Sequence, residues 1–274
     1  MITSFVILIR EGLEAALIIG IILAYLTKTN GRRQFSLVWT GVALGVLVSL
    51  VTGAVVYYAA GELEGPAEQI FEGTTMFIAV GVLTWMIFWM RKQAVNIRTH
   101  LQAQVDSALT SRSSWALVIL AFVAVVREGI ETVLFLFAAT QTAESPISFA
   151  SGGILGLLAA AAIGYGIYKG ATWFNLKYFF NATGVILILF AAGLVAHGVH
   201  EFNEVGFIPS IIEHVWDTNV TIQETSTLGR FLGALFGYNG NPSLTEVIAY
   251  LAFLAATLGG YFALMKGKRR TEAT

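Results

Sequence analysis

The chain has 274 residues, of which 56% are hydrophobic and only 12% are charged, with a formal net charge of −1 at pH 7. A soluble domain normally carries about twice that charged fraction, so the composition excludes an ordinary soluble domain and indicates a polytopic helical membrane protein. The chain has no cysteine, which excludes disulfides, thiolate metal sites and cysteine nucleophiles.

Seven apolar blocks are each long enough to cross about 30 Å of hydrocarbon as a helix. We expect spans at about 3–27, 36–60, 70–90, 115–140, 148–170, 178–200 and 244–265. Because no basic segment precedes the first block and charges interrupt it, we interpret it as a retained span rather than a removed signal peptide. We therefore predict an all-α membrane protein with seven transmembrane helices in a single domain, 1–274.

The charges of the connections predict an orientation. Lys28 and Arg32 follow the first block, and basic residues also follow the third, fifth and seventh blocks, whereas the alternate connections are acidic. Since basic loops stay in the cytoplasm, we expect the N-terminus outside and the C-terminus in the cytoplasm. Residues 91–114 predict a cytoplasmic helix that continues out of the third span. The outer segment 201–243 contains an apolar stretch, 228–238, that predicts an interfacial or re-entrant helix.

A charged five-residue motif stands inside two of the apolar blocks, as R-E-G-L-E at 10–14 and R-E-G-I-E at 127–131. At about 100° per residue, the arginine and both glutamates of each copy share one helix face. The first and fourth spans run in opposite directions in the predicted topology, which is typical of an inverted-topology repeat. Outside the motif we detect little residue-level similarity between the halves. The repeats would cover about 1–92 and 115–200, followed by the outer segment 201–243 and the last span 244–265.

The simplest packing puts the two motif faces against each other. It would bring together four carboxylates and two guanidinium groups, those of Glu11, Glu14, Glu128, Glu131, Arg10 and Arg127. Two arginines cannot neutralise four carboxylates, and the leftover charge of about −2 is costly to bury unless protons or a bound cation compensate it. A purely structural alternative is a pair of salt bridges, Arg10–Glu14 and Arg127–Glu131, that only lock the helices together.

Carboxylate oxygens are hard ligands, so the cluster suits multivalent cations with an oxygen preference, or a proton relay. The two motif arginines would orient the carboxylates and reduce the charge of the site. Further acids and histidines at the outer ends of the third and sixth spans could bind metal and concentrate cations at the entrance. The histidines could also carry protons or simply hydrogen-bond helix carbonyls. These outer candidates are Glu72, Glu201, Glu204, His197 and His200.

The two motif copies resemble the R-E-x-x-E signature that oxidase-dependent iron permeases carry in their first and fourth spans. This family includes the fungal high-affinity iron permease and the bacterial EfeU-type transporters, and the resemblance covers nearly the whole chain. It implies iron uptake, with the four motif glutamates binding the ion in transit and no permanently bound cofactor. It also implies an extracytoplasmic multicopper oxidase, or a cupredoxin-like or peroxidase-like protein, that oxidises Fe²⁺ and delivers Fe³⁺. The fungal outer-loop motif D-A-S-E is absent here, and Glu201 and Glu204 are candidates for its role.

The residues alone also allow a proton-coupled carrier of another divalent metal, such as Mn²⁺. An intramembrane di-iron oxidase is less well supported, because such sites use Glu-x-x-His pairs and neither motif has a histidine at that offset. We therefore expect a transporter rather than an enzyme. We expect it in the bacterial cytoplasmic membrane, in contact with lipid and without a nucleic-acid partner.

Overall fold

The computed structural model describes residues 1–61, 63–93, 97–110, 115–140, 146–169 and 175–271, and the regular structure in these residues is helical throughout. A short 3₁₀ turn at Arg32–Gln34 precedes the second helix. The helices are α1 Ile2–Lys28, α2 Phe35–Gly61, α3 Pro66–Gln93, α4 Ile97–Thr110, α5 Trp115–Thr140, α6 Pro146–Tyr168, α7 Leu176–Glu204, α8 Thr227–Phe236 and α9 Leu244–Thr271.

Five segments within the described residues are long and apolar enough to cross a membrane, and they correspond to α2, α3, α6, α7 and α9. These five helices indicate an integral membrane protein. Helices α1 and α5 carry the charged motif inside otherwise apolar sequence. With 27 residues, α1 is about 40 Å long, which is enough to span. That α1 and α5 also cross the membrane, giving seven spans, stays a prediction.

The chain divides into two compact units. The first contains α1, α2, α4, α5 as far as Phe137, α6 and the first residues of α7. The second contains α3 as far as Arg91, the remainder of α7, α8 and α9. Each unit therefore takes helices from both halves of the chain.

Within the first unit, α2 packs closely on α5 through small residues. A Cβ atom at Gly41 would collide with the backbone oxygen of Val118, and a Cβ at Gly45 would lie 2.9 Å from the Cβ of Val125. About one turn after Gly45, Ser49 lies directly against Gly129. Small residues in membrane helices allow such close backbone approach, which strengthens van der Waals packing where no hydrophobic force between helices is available.

Helix α6 packs on α1 in the same way. A Cβ atom at Gly156 would lie 2.7 Å from the backbone oxygen of Phe5, and one at Gly12 would lie 3.0 Å from the Cβ of Ala160. The hydroxyl of Ser4 also donates a hydrogen bond of 2.7 Å to the backbone oxygen of Phe149 and so ties α1 to the start of α6. Contacts advance along both helices together, so α1 and α6 run in the same direction.

The two contact stripes have the same spacing. Small residues stand at 41, 45, 49 and 53 in α2, and at 152, 156, 160 and 164 in α6. In each stripe the third residue, Ser49 or Ala160, meets the glycine of a charged motif. The expectation of little residue-level similarity between the halves did not consider this match in spacing. The similarity is one of side-chain size at fixed intervals rather than of residue identity.

Helix α4 lies against the C-terminal end of α1. Val105 and Leu101 are buried on its inner face, and Val105 belongs to an apolar cluster that includes Leu26. The hydroxyl of Tyr25 lies 2.8 and 2.7 Å from the two carboxylate oxygens of Asp106. A helix was predicted at 91–114 as a continuation of the third span, and the junction at 94–96 lies outside the described residues.

Helix α8 accounts for the apolar stretch of the outer segment. Its N-terminus is capped by the hydroxyl of Ser226, which accepts a 3.0 Å hydrogen bond from the Gly229 amide. It ends at Gly237, which has a left-handed backbone (φ +67°) and packs against Gly193 of α7. Gly193 is about 16 Å along the axis from the end of α7. The choice between a re-entrant and an interfacial α8 stays a prediction.

Replacement of Gly41 by alanine should destabilise the protein by about 1–3 kcal/mol, because the added Cβ would force α2 away from the α5 backbone. Gly20→Ala is the matched control. Gly20 also lies in a helix interior, but a Cβ there meets nothing within 4 Å. Thermal unfolding of the purified variants in detergent measures the difference. Equal stability of the two variants would contradict the close α2–α5 packing.

Candidate metal site

The charged residues of α1 are enclosed by protein. Arg10, Glu11 and Glu14 are only 2%, 1% and 5% exposed. The Nη1 atom of Arg10 lies 2.5 Å from Oε1 of Glu11, and its Nη2 atom lies 2.8 Å from Oε1 of Glu14. One guanidinium therefore holds both carboxylates of the first motif.

The second motif, on α5, is arranged less evenly. The Nε atom of Arg127 lies 3.0 Å from Oε1 of Glu131 but 3.9 Å from Oε1 of Glu128. The Arg127 side chain is 32% exposed, whereas Arg10 is enclosed. Both carboxylates of the second motif are buried. The two salt bridges of the purely structural interpretation, Arg10–Glu14 and Arg127–Glu131, are thus both present.

The two motif faces meet. Carboxylate oxygens of Glu11, Glu128 and Glu131 all lie within 4.8 Å of one another. Glu14 joins them electrostatically, since it is close enough to interact with Glu131 and Arg127. The two motifs therefore face each other, as the sequence predicts. The candidate ligand atoms come from two helices, and Glu11 and Glu128 are 117 residues apart in the chain (128 − 11).

The salt bridges leave part of this cluster unsatisfied. One oxygen of each converging carboxylate, Oε2 of Glu11, Glu128 and Glu131, is buried and accepts no hydrogen bond from any residue that the structure describes. A buried carboxylate oxygen without a partner costs free energy comparable to a lost charged hydrogen bond. Carboxylates that converge and also have spare buried oxygens are what a cation with hard-ligand preference can use.

The small-residue stripes place this cluster. Gly12 and Gly129 sit within the motifs, and their missing side chains let α6 and α2 pack directly behind the charged faces. The hydroxyl of Ser49, at the contact with Gly129, donates a 2.8 Å hydrogen bond to the backbone oxygen of Gly45. Its polarity is therefore satisfied within α2. Ser49 was not a sequence candidate, and the glycine spacing around it is the signal that identifies its position.

The outer candidates lie in the second unit, on α3 and α7. His200 and Glu204 lie 3.4 Å apart, and the rings of His197 and His200 are 6.0 Å apart between centroids. Glu201 lies beside Gly73 and interacts electrostatically with Glu72. Across the described ranges, three motif glutamates form the one set of three or more acidic or histidine side chains whose ligand atoms converge this closely. Metal binding by the outer residues stays a prediction.

Sequence reasoning missed two residues that contact the outer candidates. Glu246, in the first turn of α9, is 3% exposed and lies 3.1 Å from Nδ1 of His200. Gln69 of α3 donates a hydrogen bond to Glu204. Ser243 and Glu246 form an S-x-x-E capping-box pattern at the beginning of an apolar run. This pattern is the sequence signal that could have identified Glu246.

Comparison with known proteins adds to this geometry. The Iron permease FTR1 family matches residues 1–270. The chain is 38% identical over 260 residues to a protein named Ferrous iron permease EfeU from Escherichia coli O6:H1, covering 94% of each chain. It is 38% identical over 264 residues to a protein of the same name from Yersinia pestis, covering 96% of this chain and 93% of the relative. No solved structure matches the chain.

A further relative of the same name, from Yersinia pseudotuberculosis, is 38% identical over 260 residues and covers 94% of this chain. The similarity thus extends over nearly the full length of the chain and of its relatives, and it includes both charged motifs within the matched residues. The chain belongs to the iron permease FTR1 family, and it is accordingly a membrane transport protein.

Proposed function

We propose that this chain takes up iron across the bacterial cytoplasmic membrane and that the ion binds in transit among the four motif glutamates. The observation that carries the proposal is the convergence of Glu11, Glu128 and Glu131 within 4.8 Å, each with a buried oxygen that accepts no hydrogen bond from the described part of the chain. Glu14 completes the set through its contact with Arg10 and its proximity to Glu131.

Charge balance supports the binding of a cation. The four glutamates and two arginines leave a formal charge of about −2 in a buried volume, where each uncompensated ion costs several kcal/mol. A multivalent cation removes this charge and supplies a partner to the free oxygens at the same time. Arg10 and Arg127 orient the carboxylates, since each holds the carboxylate four residues further along its helix.

The transport pathway in this proposal is built on seven spans, which form a 3+3 inverted-topology repeat followed by one C-terminal span. Its support is the matched packing of α2 on α5 and of α6 on α1, in which equally spaced small residues meet the glycines of the two motifs. In an inverted repeat the second and fifth spans are equivalent, so each is expected to pack on the motif helix of the other half. Binding sites of this architecture lie near the midplane. The charges of the connections support an outer N-terminus and a cytoplasmic C-terminus.

The oxidation state of the ion has two candidates. The family resemblance predicts Fe³⁺, produced from Fe²⁺ by an extracytoplasmic oxidase, and an all-carboxylate site suits the harder ion. Two observations favour Fe²⁺: the relatives are named ferrous iron permeases, and a divalent ion would balance a formal charge of about −2. In either form, the outer acids Glu72, Glu201 and Glu204 would attract the ion to the entrance.

Glu128→Gln should abolish most iron uptake while leaving the protein in the membrane. The substitution keeps the size of the side chain but removes one ligand charge, and a loss of about 3 kcal/mol of binding would lower affinity roughly a hundredfold. Uptake of radioactive iron by cells that express the variant measures the effect. Glu64→Gln is the matched control, because Glu64 is exposed and lies outside both motifs. Normal uptake by the Glu128 variant would contradict the proposal.

Reconstituted vesicles should take up Fe³⁺ citrate directly, and should take up Fe²⁺ only after an oxidase is added, if the ferric prediction holds. Uptake of Fe²⁺ kept reduced with ascorbate, without any oxidase, would establish the ferrous candidate instead. The same vesicles test the alternative of another divalent metal. An excess of Mn²⁺, Zn²⁺ or Co²⁺ should compete weakly with iron, and complete competition by Mn²⁺ would favour a manganese carrier.

A further inference from the structure

Glu246 is a buried carboxylate with every oxygen in use. It is 3% exposed, at the start of α9. Its Oε1 atom accepts a 3.2 Å hydrogen bond from the Ser243 amide and lies 3.1 Å from Nδ1 of His200, and its Oε2 atom accepts a 2.9 Å hydrogen bond from Asn239. The contact with the Ser243 amide is the capping box of α9. The contact with His200, on another helix, is not needed for that cap.

The carboxylate of Glu246 determines how His200 presents its ring. A carboxylate oxygen beside Nδ1 requires that this nitrogen carries the proton, so the lone pair of the neutral imidazole is on Nε2. Carboxylate–histidine pairs of this kind fix the tautomer and orientation of metal-binding histidines in many proteins. The ring itself is 39% exposed, so Nε2 is accessible while Nδ1 is anchored on a buried group.

The group that faces Nε2 is another acceptor. Oε1 of Glu204 lies 3.4 Å from it, and the other oxygen of Glu204 accepts a hydrogen bond from Gln69 of α3. In the metal-free protein a proton on Nε2 can lie between these two acceptors, and a divalent metal ion would displace that proton and bind both. Two ligands at about 2.1 Å from one metal ion, at a roughly tetrahedral angle, are about 3.4 Å apart. Among the residues that the structure describes, Glu201 and His197, on the same helix, also interact electrostatically with His200.

We propose that Glu246 is a positioning residue that holds His200 so that its Nε2 atom and Glu204 together receive an incoming divalent metal ion at the end of α7. The proposal rests on the proposed function for the origin and fate of the ion, but the pair itself is defined within the second unit. Glu246 and Gln69 hold the two ligands from α9 and α3. Glu201, which also interacts with Glu72, adds negative charge beside the pair, which favours a cation.

The test uses the full-length protein in detergent with Mn²⁺ alone as the probe. Pulsed electron paramagnetic resonance should detect the nitrogen of a coordinated imidazole on the bound Mn²⁺. This signal should disappear in His200→Gln and remain in His214→Gln, which removes an exposed histidine. In Glu246→Gln, the dissociation constant of the nitrogen-coordinated Mn²⁺ should rise roughly tenfold, the lower range for loss of such an orienting group.

Ser243→Ala separates positioning from capping. It removes the hydroxyl that accepts a hydrogen bond from the Glu246 amide at the start of α9, but leaves the Glu246 carboxylate in place. We expect a lower melting temperature in this variant with an unchanged dissociation constant. An absent nitrogen signal in the wild type, or one that survives in His200→Gln, overturns the proposal. So does a Glu246→Gln variant that only lowers the melting temperature, because Glu246 would then act solely as a cap.

The Glu128→Gln background distinguishes this proposal from the proposed function. The nitrogen signal should persist in this variant, because the His200 pair does not use the motif glutamates. Loss of the signal would contradict the proposal that the His200 pair is a separate site. Normal iron transport by Glu128→Gln would contradict the proposed function. It would not affect the test of His200, because the Mn²⁺ nitrogen signal is measured separately from transport.

Discussion

An excess of buried carboxylates over guanidinium groups is the constraint on which the rest of this structure depends. Two guanidinium groups face four carboxylates, and the ion pairs that they form leave one oxygen each on Glu11, Glu128 and Glu131 without a hydrogen bond in the described part of the protein. Apolar helices do not tolerate such a cluster for packing alone, because well-packed hydrophobic residues would serve that purpose at lower cost. The cation of the proposed function would supply the positive charge that this cluster lacks.

The cluster exists because helix backbones approach closely behind it. Stripes of small residues in α2 and α6 meet the motif glycines Gly129 and Gly12, so the polar faces of α5 and α1 are left for each other. Position and charge are therefore coupled: a larger side chain in either stripe would move a motif as well as loosen a helix pair. The same spacing in both stripes ties the two motifs to equivalent surroundings.

Much of this arrangement could be predicted from the sequence, since helical periodicity placed the charges of each motif on one face and apolar length marked the helices. The small-residue stripes were visible but missed, because comparison by residue identity does not equate Ser49 with Ala160. The contact of Glu246 with His200 could not be predicted. The capping box indicates only a local hydrogen bond, whereas this contact joins residues 46 apart through the packing of α9 on α7.

The two motifs have nearly the same sequence, but their arginines do not pair equally closely with all four glutamates. Glu128 has the longest of the four motif ion-pair distances, 3.9 Å from Arg127, against 2.5 to 3.0 Å for the other three glutamates. Two of the three converging carboxylates also belong to α5. An ion attracted to the strongest remaining field would rest off-centre, nearer α5 than α1. Two halves with the same motif would in this way contribute unequally to the site, with α5 providing most of the ion's ligands and α1 providing fewer.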